Sequence, residues 1–195
     1  MDMFELVEEC AGRIERLTND LLDLSRVDRQ DVARFRPADG IHASVRVLSA
    51  QLPAETRIVT RLDEDIELEG RPGDLNHVFL NLIDNAARAV GGRGTVEVRT
   101  ARSANEFILE VADSGPGVPE AERQAIFEPF YSTRAAGQGT GLGLFLVKKV
   151  VGAHGGSVSV GRSDLGGASF LVRIPGASRA GGAAAERRSG PELRG

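Results

Sequence analysis

The chain has 195 residues, 24 of them Lys or Arg and 28 Asp or Glu, for a formal net charge of −4. That balance, with 41% hydrophobic residues, marks a soluble globular protein and offers no basic footprint for nucleic acid or an anionic membrane. Cys10 is the single cysteine, which excludes an intrachain disulfide and a cysteine-rich zinc site. No apolar run approaches the ~18 residues of a membrane span. The start, Met1-Asp2-Met3-Phe4-Glu5, lacks the basic segment of a secretory signal, so a reduced, cytoplasmic setting is expected.

Residues 3–28 contain no proline and read as one long helix. Phe4, Val7, Ala11, Ile14, Thr18, Leu21 and Ser25 alternate steps of three and four, a heptad-like seam. Leu6, Cys10, Leu17 and Leu24 widen the stripe beyond what a two-stranded coiled coil needs. One helix cannot bury such a face, so it calls for a partner helix, a second copy in a homodimer, or the domain that follows.

Residues 31–176 read as α/β. A short strand near 33–36 precedes a helix from about 38 to 51, strands at 56–62 and 66–69, and a helix over 73–90. Two alternating segments follow, 95–101 and 106–112, turning at Ser103-Ala104-Asn105. After a helix over about 141–153 comes a second strand pair, GSVSVGR and ASFLVRIP, joined by Ser163-Asp164-Leu165-Gly166-Gly167. Hairpins with helices between them predict a two-layer α+β sandwich: a mixed, largely antiparallel sheet with helices on one face. From residue 177, ASRAGGAAAERRSGPELRG has almost nothing to bury and reads as a disordered tail.

The chemistry gathers in four places. In GDLNHVFLNLIDNAARAV, 73–90, Asn81 and Asn85 lie a turn apart on an otherwise apolar helix, and Arg88 extends their stripe. Asn is a mediocre helix former, so the pair looks placed. Carboxamide oxygens suit a hard cation such as Mg²⁺, which keeps waters and substrate phosphates as its other ligands, and Arg88 can meet phosphate. Solvated polar positions are the plainer alternative.

In ADSGPGVPE, 112–120, Pro and Gly turn the chain at the end of a strand, and a turn accounts for every residue except Asp113. A carboxylate at a buried strand end needs a donor, for which an exocyclic amine is a candidate. IFEPFYSTR, 126–134, brings together Phe127, Phe130 and Tyr131, a local core or the root of a polar, Gly-rich cover over YSTRAAGQGTG. Last, GQGTGLGLFLVKKV crowds a helix entrance with Gly139, Gly141 and Gly143, although Gly is unfavourable in a helix by roughly 1 kcal/mol against Ala. No Gly-Lys-Ser or Gly-Lys-Thr follows, so it is not a P-loop, and the spacing does not fit a dinucleotide-binding turn. Bare backbone N–H groups at a helix entrance still suit an anion.

NLIDNA, DSGPG, FEPFYSTR and GTGLGL, followed by HGGSV, stand in an order that resembles the N, G1, F and G2 boxes of the histidine-kinase ATP-binding domain. Residues 13–28 also look like the second helix of that family's dimerisation and phosphotransfer hairpin. The resemblance implies the Bergerat sandwich shared with gyrase-type ATPases, Hsp90 chaperones and mismatch-repair ATPases. It implies ATP and Mg²⁺ as ligands, with Asn85 on the metal and Asn81 nearby. Arg88 stands where a basic residue meets phosphate, and Arg134 where relatives with short lids carry Lys. Asp113 would accept from the adenine amino group beside Gly115 and Gly117, with Ser169 in place of a Thr common near adenine. Phe127 and Phe130 would anchor the lid. Thr140, Leu142 and the glycines Gly139, Gly141 and Gly143 would bring backbone N–H groups to the phosphates. His154 looks structural.

Hydrolysing relatives carry a Glu four residues before the metal-binding Asn. Here that position is Asn81, and a carboxamide is no general base at neutral pH. Such a site is expected to hold ATP and transfer its terminal phosphoryl group by positioning and charge stabilisation. The family's phosphoacceptor histidine is missing: of the three histidines, His42, His77 and His154, none sits in an acceptor-like sequence. The expected acceptor is therefore another chain or an upstream segment, with a response regulator downstream. Competing readings are an ATP-regulated binding module without transfer activity and an anti-sigma-type serine kinase. A gyrase-like ATPase is disfavoured by Asn81.

Overall fold

A computed structural model describes residue 18, residues 31–132 and residues 140–180. Apart from Thr18, the helix expected over 3–28 lies outside the described residues, as do Arg134, Gly139 and the tail beyond 180. In chain order the elements are β1 (Ala33–Phe35), α1 (Pro37–Ser49), β2 (Thr56–Arg61), β3 (Ile66–Gly70) and α2 (Pro72–Ala89). Then come β4 (Gly94–Ser103), β5 (Glu106–Asp113), two short 3-10 turns, α3 (Gly143–Ala153), β6 (Ser157–Arg162), β7 (Ala168–Pro175) and β8 (Ala177–Arg179). None of the described helices is long and apolar enough to cross a membrane.

The main sheet has the order β2-β4-β5-β7-β6. The β4–β5, β5–β7 and β7–β6 pairs are antiparallel, while β2 runs parallel to β4. The parallel pair follows from the chain's return through β3 and α2, since parallel neighbours need a long crossover. Along β4, β5 and β7 the alternate residues Val96, Val98, Phe107, Leu109, Val111, Val172 and Ile174 are fully buried under α2 and α3. The opposite face carries Arg99, which bridges Glu97 on its own strand and Glu110 on β5. Helices on one face of a mixed, largely antiparallel sheet are what the hairpin pattern predicts.

The helix α2 is where the fold meets the site. Pro72 starts it, because the first helical turn needs no N–H there. Gly91 and Gly92, with φ of 65° and 88°, turn the chain away just past its end. Leu75, Val78, Phe79, Leu82, Ile83 and Ala86 form the buried stripe, and Phe79 meets Phe107 of β5 edge-on at 6.3 Å between ring centroids. The same periodicity leaves Asn81, Asp84, Asn85 and Arg88 off the core side. The helix α1 packs on α2 and β3.

A second sheet has the order β1-β3-β8, and here the expected boundary at 176 fails. Ala177–Arg179 pairs antiparallel with Ile66–Leu68, and Ala177 is buried against Leu68. Gly176 and Ala177 both donate backbone N–H to Asn105 O, at 2.8 and 2.9 Å. A three-residue strand with one small apolar side chain carries no periodic signal. Its partner lies over a hundred residues earlier.

Candidate functional site

A cavity of about 650 Å³ opens between α2, the loop after β5 and the entrance of α3. At its inner end stands Asp113, the last residue of β5, 1% exposed. Its Oδ1 accepts the N–H groups of Gly115 at 2.8 Å and Ala168 at 3.2 Å. Among the described residues nothing bonds Oδ2. Burial raises the Asp113 carboxyl above its ordinary 3.8, and the two backbone N–H bonds only partly oppose this. A buried carboxylate with one oxygen fixed and the other on a cavity is a receptor for an N–H donor.

The following loop is shaped by glycine for two reasons. At Gly115 a side chain would stand 2.7 Å from Ala89 O of α2, so the absent Cβ lets the loop lie on the helix. Gly117 has φ +79°, a left-handed conformation that other residues rarely adopt. Pro116, Gly117 and Val118 line the cavity, while Gly115 sits behind Asp113.

Along the helix wall α2 brings Asn81, Asn85 and Arg88 to the cavity together, with the unforeseen Asp84 among them. Arg88 Nε donates to both Asp84 oxygens, at 2.7 and 2.9 Å. Arg88 is therefore held on its own helix by a carboxylate the motif reading passed over. Asn81 meets the third wall, since a Cβ on Gly143 would come 3.0 Å from Asn81 Oδ1.

The third wall is the entrance of α3, where Thr140, Gly141 and Gly143 line the cavity. Leu142 is buried behind them and donates its N–H to Thr140 Oγ1 at 3.3 Å. Gly141 has φ +70°, and a Cβ there would stand 2.5 Å from the carbonyl carbon of Phe130. Phe130 in turn donates its N–H to Gly141 O at 3.0 Å. The two ends of the intervening segment are thus tied backbone to backbone.

Two expected residues are not where the motifs suggest. Ser169 does not line the cavity: its Oγ donates to Glu110 Oε1 at 2.7 Å on the far face of the sheet. Its neighbours Ala168 and Phe170 face the cavity, because side chains alternate along a strand and a slip of one residue changes face. Phe130 is absent from the lining and 71% exposed, at a φ of +66° that turns it away from the core. Phe127 is buried, edge-on to Phe170 at 6.5 Å. None of the three histidines lines the cavity. His154 is structural, bonding Val150 O through Nδ1 at 2.8 Å and accepting the Arg71 N–H at Nε2 at 3.1 Å. His42 pairs with Glu64.

Sequence reasoning also missed Gly167. Its N–H donates to Asp113 O at 3.1 Å, and a Cβ on it would overlap Asp113 Oδ1. The Gly166-Gly167 pair before β7 was the available signal, read only as a turn.

A nucleotide-sized cavity with this order of walls defines a class, and comparison with known families agrees. Residues 70–178 match the histidine kinase-, DNA gyrase B- and HSP90-like ATPases, and the chain belongs to that family, whose common domain binds ATP. The sensor histidine kinase ZraS of Salmonella typhimurium is 30% identical over 177 residues, covering 89% of this chain and 38% of ZraS. The signal transduction histidine-protein kinase/phosphatase MprB of Mycobacterium bovis is 36% identical over 188 residues, covering 90% of this chain and 37% of MprB. The chain thus spans less than two fifths of either relative. Among solved structures, the nucleotide-free catalytic domain of histidine kinase ThkA superposes with a TM-score of 0.70 at 27% identity, over 75% of this chain and 97% of that one. Full-length ShkA in complex with AMPPNP gives a TM-score of 0.75 at 27% identity, over 87% of this chain and 37% of that one.

Proposed function

We propose that this chain is the ATP-binding catalytic part of a two-component sensor histidine kinase. It moves the terminal phosphoryl group of Mg-ATP to a histidine supplied by another chain or by upstream sequence. The observation that carries this reading is Asp113: a buried carboxylate with one oxygen fixed by backbone N–H groups, lining the same cavity as Asn81, Asn85 and Arg88. Adenine's amino group is the donor that such an acceptor selects. Residues 31–179 then form the ATP-binding domain, behind a helix over 1–30 resembling half of a dimerisation hairpin. A cytoplasmic location and a response regulator as downstream partner belong to the same reading.

Among the described residues no group of three or more His, Cys, Asp or Glu gathers that could hold a metal ion. The donors on the cavity wall are instead the carboxamides of Asn81 and Asn85 with Asp84 alongside, a set that fits Mg²⁺ completed by water and phosphate oxygens. When bound, Mg²⁺ would neutralise charge on the phosphates. The chain's own residues do the rest. Arg88 and Arg134 stabilise the charge of the transferring group, and backbone N–H groups of residues 139–143 orient the phosphates. The bond from the terminal phosphorus to its bridging oxygen breaks, ADP leaves, and a P–N bond forms to the incoming imidazole. Asn81 supplies no base for water, so hydrolysis is expected to be slow.

The test is incubation with Mg-ATP labelled on its terminal phosphate, with and without a separate histidine-bearing hairpin from a related kinase. Acid-labile label on the hairpin alone is the expected result. Label on this chain would make one of its own histidines the acceptor. Nucleotide binding with no transfer to a panel of such hairpins would favour an ATP-regulated binding module, and many turnovers per second to free phosphate would overturn the assignment of Asn81.

A further inference from the structure

We infer that Gly167 is a positioning residue for base recognition: the β6–β7 hairpin fixes which oxygen of Asp113 faces the cavity, and only a residue without a side chain permits this. The inference rests on the reading that Asp113 receives the nucleotide's base.

Asp113 is gripped from two directions. Its own loop supplies the Gly115 N–H, and the hairpin supplies two more donors, Gly167 N–H to the backbone oxygen at 3.1 Å and Ala168 N–H to Oδ1 at 3.2 Å. Close approach of the hairpin is what makes this possible. A Cβ on Gly167 would overlap Asp113 Oδ1 and stand 2.5 Å from Asp113 O and 2.6 Å from Gly115 N. These neighbours are backbone or backbone-bonded, so none can swing aside as the end of a flexible side chain would. Gly167 does not have the positive φ of its neighbour Gly166, so what demands glycine here is space and not backbone conformation.

The hairpin cannot readily give way either. Ser163 N–H donates to Gly167 O at 2.9 Å, Gly166 N–H to Ser163 O at 3.0 Å, and Leu165 N–H to the oxygen of the buried Ser163 side chain at 3.0 Å. The loop after β5 closes the other side, since a Cβ on Gly117 would lie 3.3 Å from Gly167 O. An added methyl must therefore displace the carboxylate. With Oδ1 held by two N–H groups, Oδ2 is left as a lone acceptor aimed at the base. That geometry accepts the amino group of adenine and repels a base carrying an oxygen at the same place.

The readout is the ratio of affinities for ATP and inosine triphosphate, whose ring carries an oxygen acceptor where adenine has the amino donor. Both are measured on the whole chain by calorimetry, for the wild type, Gly167→Ala and Gly161→Ala. Gly161 lies on β6 of the same hairpin, where an added methyl meets nothing within 4 Å. The expected result is a wild-type preference for ATP of at least about tenfold. Gly167→Ala should lose that preference through weaker ATP binding with inosine triphosphate nearly unchanged, and Gly161→Ala should keep it. A parallel loss of both nucleotides, or an unchanged ratio, would overturn the inference and leave Gly167 a structural residue. A wild type that binds neither nucleotide would overturn the reading of the site, and this inference with it. Should Gly167→Ala not fold, amide exchange on the wild type decides: ATP should protect the Ala168 N–H and inosine triphosphate should not, and equal protection by both would overturn the inference.

Discussion

The two ends of the cavity are built on different principles. At the Asp113 end the deciding atom is buried and held by backbone groups from two separate loops. At the Asn81–Arg88 end the groups are side chains on one helix face, and Arg88 is half-exposed and held by a single carboxylate a turn away. The first end is rigid, as a group that selects a ligand should be. The second can rearrange around a charged ligand, because an exposed ion pair contributes only about 0–1 kcal/mol and is easily exchanged for another partner. On the proposed function, specificity and chemistry are thus placed where rigidity and adaptability respectively serve them.

The largest effect should come from reversing the donor pattern at the rigid end. Asp113→Asn can still accept from Gly115 and Ala168 through its Oδ1, but it then turns an amino group toward the amino group of adenine. ATP affinity is expected to fall by about a hundredfold or more, measured by calorimetry, because two buried donors would face each other. The nucleotide-free variant is expected to melt no lower than the wild type at neutral pH. Burial raises the Asp113 carboxyl in the folded state. Its stabilising contribution is therefore present below 3.8 and is lost as pH rises through the raised value, above which the buried ionised group is a liability.

The same titration acts on binding with the opposite sign. With the ionised carboxylate as the proposed acceptor, ATP affinity should weaken by roughly tenfold per pH unit once pH falls below the raised value. Asp113→Asn should abolish that dependence, and a wild-type pH profile matching the variant's would break the assignment of Asp113.

At the adaptable end Arg88→Ala is expected to lower the phosphoryl-transfer rate by roughly tenfold while changing adenine selectivity little. A loss of ATP-over-inosine preference in that variant would erase the distinction between the two ends. The smallest effect should be that of Phe130→Ala. Its ring is exposed and outside the cavity, so ATP affinity should stay within about twofold by the same calorimetry. A larger loss would place the ring against the nucleotide.

Much of this molecule is legible from local pattern. The alternation in 95–101, 106–112 and 168–175 and the apolar stripe of 73–90 specify β4, β5, β7 and α2, because burial on one face imposes a period that one segment displays by itself. The asparagine pair, Asp113 and the glycines at 141 and 143 stand out for a related reason: each breaks the preference of the element that contains it. Ser169 shows the limit. The motif locates the strand but not its phase, and one residue of register exchanges Ser169 for Ala168 at the cavity.

What the sequence by itself determined is the set of elements and the family order of the polar residues set into them. Only the tertiary structure decided which atoms of those residues are free to act. Asp84 looks like any helical surface acid until α2 turns it to the cavity beside Arg88. Gly167 looks like any turn glycine until β7 docks beside β5 and leaves no room for a Cβ. The strand β8 exists only because β3, more than a hundred residues earlier, leaves an edge for it. The reason is the same each time: propensity and periodicity act between neighbours in sequence, whereas steric exclusion and hydrogen-bond pairing act between groups that only the folded chain brings together.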